Sequence, residues 1–82
     1  MNIHNVEIER AVIGEILAFD DLREKVNLLE VDDFYFAEHR TICKAMINQM
    51  NTCGSFDFIT IANECGAEYR TEIQTCAYLP FP

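Results

Sequence analysis

Tryptophan is absent from the 82 residues, glycine occurs three times and proline twice, and Lys and Arg together number six against fourteen Asp and Glu. Each scarcity closes off a class. So little Gly and Pro, beside an apolar fraction of 50%, excludes low-complexity chain and intrinsic disorder. Basic residues this few and this scattered cannot neutralise a phosphate backbone, so no direct nucleic-acid binding is expected. The formal charge of -8, spread from Glu7 to Glu72, suits solubility or a basic protein partner. No run of about 18 apolar residues is present to span a bilayer, and the N-terminus lacks the basic start and apolar stretch of a signal peptide. The expectation is a soluble, cytoplasmic domain with no membrane partner.

Several chemistries are missing as well. The four cysteines, Cys43, Cys53, Cys65 and Cys76, are separated by nine, eleven and ten intervening residues and include no C-x-x-C pair. Structural zinc normally uses at least one closely spaced ligand pair, and disulfides accompany export. The thiols are therefore read as free apolar fillers, with no metal and no cofactor. Gly54-Ser55 has neither the second glycine nor the Lys-Ser/Thr of a phosphate-binding loop, and no nucleophile elbow or H-E-x-x-H helix occurs. Of the two histidines, His4 lies in the terminus, and the adjacent acids Asp32 and Asp33 read as an acidic turn or helix start. No catalytic residue is assigned.

What is present is helical periodicity. Between Val6 and Phe19 almost every position after Arg10 is apolar, which marks a central helix contacted from several sides, with Val12 and Ile16 in the core and Gly14 admitting a close neighbour. Asp21 followed by Glu24 reads as a capping box opening a short second helix, with Leu22, Val26 and Leu29 on one face. Glu30 to Phe36 has no helical stripe and reads as a connector whose aromatics, Phe34 and Tyr35 among them, dock on the core.

A third helix is predicted over 37–50. Turning it by about 100° per residue puts Ile42, Cys43, Met46, Ile47 and Met50 on one arc, and His39 falls inside it. That position predicts a partly buried neutral imidazole bonded to a carbonyl. Asn51 to Ser55 then reads as a loop, Asp57 as the cap of a fourth helix running to Cys65 with Ile61 inward, and Gly66 as its left-handed stop. A fifth helix over about 68–79 ends at Pro80. The predicted fold is all-α, a compact orthogonal bundle of about five short helices forming a single domain, 1–82.

Four stretches, in order, resemble one family, the N-terminal domain of the DnaB-type replicative DNA helicase. Asn5-Val6-Glu7-Ile8-Glu9-Arg10-Ala11-Val12-Ile13-Gly14 is similar to N-I-E-A-E-Q-A-V-L-G. Asp33-Phe34-Tyr35 with His39 and Ile42 is similar to D-F-Y-x-x-x-H-x-x-I, Asp57-Phe58-Ile59-Thr60-Ile61 to D-L-V-T-L, and Ala77-Tyr78-Leu79 to A-Y-L. The resemblance implies that the first stretch is the first core helix, that Asp33-Phe34-Tyr35 is an aromatic plug beneath it, and that Asp57 is a helix cap. It also implies the collar of a hexameric ring, a non-catalytic domain that docks primase and neighbouring helicase subunits while a separate motor domain binds ATP.

Tyr78 and Leu79 are the partner-contact residues the resemblance points to. The chain departs from the pattern where Glu72-Ile73-Gln74-Thr75-Cys76 replaces an acidic-Val-Gly-Gly stretch, and it ends before the helical hairpin that pairs subunits in the family. A monomer or weak dimer is expected in isolation. The competing expectation is a free-standing small regulator with a collar-like fold that binds a replication protein.

Overall fold

Helix α1 spans Val6–Ala18 and begins where Asn5, in extended conformation, accepts the Glu7 and Ile8 N–H groups at 2.8 and 3.2 Å. A capping side chain of this kind satisfies donors that the first turn cannot pair internally. The computed structural model describes residues 5–77. Pro80 and the end of the predicted fifth helix lie outside that range.

Phe19, extended at φ -118° and ψ 115°, breaks the chain out of α1, which re-enters helix at once as α2, Asp20–Arg23. The cap position of α2 is Phe19 and carries no side-chain capping bond, so Asp21 is not the cap assigned to it but an exposed residue inside the first turn. A single extended residue joins the two helices, which leaves no room for a separate Asp cap. Arg23 turns back to donate to the Leu17 carbonyl at 2.9 Å, covering an open acceptor at the C-terminal end of α1. The predicted second helix continues only as a 3-10 turn, Glu24–Leu28, with Val26 fully buried.

The connector contains a second 3-10 turn, Val31–Asp33, tied by a reciprocal cap in which the Glu30 N–H donates to Asp33 at 3.1 Å. Beyond it the aromatics diverge. Phe34 is 1% exposed and Tyr35 is 61% exposed, so Tyr35 is not the core residue predicted for it and the aromatic plug is Phe34 alone. In extended backbone successive side chains point to opposite sides, and only one of two neighbours can face inward.

Helix α3, Ala37–Cys53, runs a turn further than predicted and ends at Gly54, whose φ of 79° and ψ of -3° are left-handed, with its N–H on the Met50 carbonyl at 3.0 Å. Helix α4, Phe58–Cys65, starts at Asp57, where the Thr60 N–H donates to the Asp57 carboxylate and the Asp57 N–H to the Thr60 hydroxyl, each at 2.9 Å. Gly66 stops α4 at φ 100° and ψ 166°. That conformation is open almost only to glycine but differs from the left-handed stop predicted. After a 3-10 turn, Ala67–Tyr69, helix α5 spans Arg70–Ala77 and passes without a turn through the stretch where the resembled pattern carries two glycines.

The fold is all-α, a bundle of five α-helices among the described residues, in which α1 packs along α5 and α3 along α4. Ile13, Ile16, Phe34, Ile42, Met46, Ile61 and Ile73 form its centre, and Val12 packs partly buried against them. Cys43 and Cys76 are buried fillers, whereas Cys53 is exposed and fills nothing.

Substituting Gly66→Ala introduces no steric clash, since nothing lies within 4 Å of the added carbon, so its effect isolates the backbone term. Urea denaturation should show a loss of about 1–3 kcal/mol; an unchanged midpoint would mean that the residue does not adopt this conformation.

Candidate functional site

On α1 the inward stripe continues N-terminally from Ile16 and Ile13 to Glu9, whose carboxylate is 0% exposed. Burying a carboxylate without partners is prohibitive, so its surroundings must supply them. The connector provides the Tyr35 N–H at 2.8 Å and the Phe36 N–H at 3.5 Å, and α3 provides His39 Nδ1 at 2.7 Å.

The other side of the same ring is also engaged. His39 Nε2 lies 2.6 Å from Glu72 Oε2 on α5, and Glu72 in turn accepts Arg10 Nε at 2.8 Å and Arg10 Nη2 at 3.0 Å. Cys76, one turn after Glu72, places its thiol 3.8 Å from Glu72 Oε2. One polar chain thus runs Glu9, His39, Glu72, Arg10 and links α1, α3 and α5.

A neutral imidazole carries one N–H, yet both ring nitrogens here face carboxylate oxygens. One contact is a ring N–H donating to a carboxylate, and the other needs a second proton between nitrogen and oxygen.

Hydrogen bonding from Arg10 holds the Glu72 carboxyl below its usual range, against an opposing effect of burial and with His39 adding to the lowering. The same contact with Glu72 raises the Arg10 guanidinium. Burial pushes the Cys76 thiol up to about 12, with the Glu72 charge adding to it, and pushes Cys43 and Cys65 up to about 11. At neutral pH these are thiols, not nucleophilic thiolates.

His39 is therefore 1% exposed and bonded to two carboxylates, not partly buried and bonded to a carbonyl as its sequence position predicts. Asp33 serves the reciprocal cap at Glu30, in keeping with the acidic turn read from the sequence. Sequence reasoning missed Glu9, Arg10 and Glu72. Glu9 stands at i-4 from Ile13 on the buried stripe, and that signal, a carboxylate on an apolar face, could have been matched to the histidine on the apolar arc of α3.

The surface offers a different feature. Ile59 on α4 is 64% exposed and borders an open groove of about 360 Å³ lined by Leu17, Ala18, Asp57, Phe58, Ile59 and Ala77. A larger open groove, about 530 Å³, lies between α3 and α4 and is lined by Val31, Thr41, Lys44, Ile47, Asn48 and Cys65, among others. Tyr78 and Leu79 lie outside the described residues, directly after Ala77 in the chain.

Residues 1–80 match the family model of the DnaB-like helicase N terminal domain. No curated protein and no solved structure matches the chain.

Two outcomes follow from the polar chain. Replacing His39→Leu strands Glu9 as a buried carboxylate without its ring partner and should destabilise the domain by about 3–5 kcal/mol in urea denaturation; a loss under about 1 kcal/mol would show the contact to be dispensable. A carboxyl whose value is lowered on folding stabilises the native state above its unfolded value, near 4.5, and that contribution disappears as pH falls through the lower folded value. Unfolding midpoints should therefore drop on acidification below about pH 4.5, and Glu72→Gln should flatten the drop. An equally steep drop in the variant would exclude Glu72 as a source.

Proposed function

Because the chain belongs to the family of DnaB-like helicase N-terminal domains, we propose that it acts as a non-catalytic docking domain, a collar element that binds primase and neighbouring helicase subunits. The family match over residues 1–80 carries this reading. In it, the hydrolysis of ATP and the grip on DNA belong to a separate motor domain, and this domain contributes surface.

Two properties of the surface support a docking role. The charge of -8 favours encounter with a basic partner face and disfavours nucleic acid. The groove beside Ile59 is apolar and rests on α1, α4 and α5, elements held rigid by the core. It is also lined by Ala77, at the end of α5. Aromatic and aliphatic anchors in such a patch carry most of the energy of an interface. None of the described helices is long and apolar enough to cross a membrane.

Titration of a primase C-terminal domain into the chain by calorimetry should give saturable binding, and Ile59→Asp should weaken it by about tenfold, corresponding to about 1.4 kcal/mol. Because Ile59 is exposed, circular dichroism of the variant should be unchanged. Absence of heat at high micromolar concentrations would overturn primase docking by this domain.

A further inference from the structure

We propose that His39, Glu72 and Cys76 form a binding site for a thiophilic divalent transition-metal ion such as Zn²⁺. The Nε2, carboxylate and Sγ atoms of these residues all lie within 4.8 Å of one another. The site is independent of the docking role and stands or falls without it.

The donor set has the composition such an ion prefers. Imidazole nitrogen, carboxylate oxygen and thiolate sulfur together suit zinc or cobalt and exclude magnesium and calcium, which take oxygen ligands. Glu72 and Cys76 are one helical turn apart on α5, which puts both donors on one face, and His39 meets them from α3. The cysteines alone offer no closely spaced ligand pair. The pair that the fold provides is a glutamate and a cysteine, in the stretch where the resembled pattern has glycines.

The distances from Glu72 to the other two donors can be set against a tetrahedral ion. Metal–ligand lengths of about 2.0–2.3 Å place an N and an O ligand about 3.3 Å apart, and an O and an S ligand about 3.6 Å apart. Cys76 Sγ is 3.8 Å from Glu72 Oε2, within reach of that value. His39 Nε2 and Glu72 Oε2, at 2.6 Å, share a proton now and must separate by about 0.7 Å to admit an ion. Glu72 can supply the movement, being a long side chain that keeps 14% of its surface exposed.

The surrounding residues are arranged as partners of metal ligands. Glu9 accepts from Nδ1 of His39 at 2.7 Å, which fixes the tautomer with a lone pair on Nε2 once the shared proton leaves. Arg10 bonds both oxygens of Glu72, Nε to Oε2 at 2.8 Å and Nη2 to Oε1 at 3.0 Å; the Oε1 contact can hold the side chain while Oε2 exchanges the Arg10 Nε contact for the ion. With Cys76 as thiolate, the charges of the ion and Arg10 balance those of Cys76, Glu72 and Glu9. Binding forms metal–sulfur, metal–nitrogen and metal–oxygen bonds and breaks the S–H bond. The thiol proton goes to solvent, with any proton still held between His39 and Glu72, and no electron is transferred.

The test uses the full chain carrying Cys53→Ser, which removes the exposed thiol. Addition of Co²⁺ should produce a thiolate-to-cobalt charge-transfer band saturating at one equivalent, released by Zn²⁺, with release of the thiol proton in weakly buffered solution. Cys76→Ser in the same background should abolish the band, and Cys43→Ser and Cys65→Ser should retain it. Glu72→Gln, the second variant should Cys76→Ser not fold, should weaken Co²⁺ binding at least tenfold. No thiolate band, a band that survives Cys76→Ser, or undiminished affinity in folded Glu72→Gln would overturn the site.

Discussion

The rest of the structure depends on the pairing of a carboxylate on α1 with an imidazole on α3, both removed from water. Glu9 and His39 are 0% and 1% exposed, and each is a polar partner of the other at 2.7 Å. An isolated charge in an apolar interior raises the free energy by several kcal/mol, and the penalty is offset only when geometry and remaining hydrogen bonds are complete. Here they are complete: Glu9 also receives the Tyr35 and Phe36 N–H groups, and His39 passes its second nitrogen to Glu72, which Arg10 neutralises. A core of branched aliphatics could pack in several registers of similar energy, whereas this chain of contacts is satisfied in one arrangement of α1, α3 and α5.

That constraint explains local features that are otherwise unremarkable. The connector between the 3-10 turn at Val31–Asp33 and α3 has no side-chain cap, and the Glu9 carboxylate meets its backbone donors instead. Held there, Phe34 enters the core and Tyr35 leaves it. Elsewhere the ends of the helices are set by short-range chemistry: Asn5 and Asp57 as caps, and Gly54 and Gly66 at backbone angles that other residues resist. The scaffold is thus rigid at its centre by polar contacts and at its helix ends by caps and glycines, and its apolar groove at Ile59 is presented on that base. A preorganised surface loses less entropy on binding a partner.

Much of this was legible beforehand. Periodicity placed α1, α3, α4 and α5, because each buries one stripe against the others and the stripe is written in the order of residues. Asp57 and the glycine after Cys65 were readable as a start and a stop because capping is local. Less readable were the entry to α2, where a single extended Phe19 displaced the cap expected at Asp21, and the direction of Tyr35, which the backbone path of the connector decides. The polar chain was half visible: His39 stood on an apolar arc, and Glu9 stood on another.

By itself the sequence determined the all-α class, the main helices, the family and the exclusion of a phosphate-binding loop, since all four rest on patterns between residues close in the chain. The tertiary structure decided which charges meet. Glu9 and His39 are 30 positions apart and Arg10 and Glu72 are 62 apart. Helical periodicity tells which face of each helix is buried but not which height on one helix opposes which height on another. That height is fixed by the packing of the whole bundle, and with it the partners of His39 and the approach of Cys76 to Glu72.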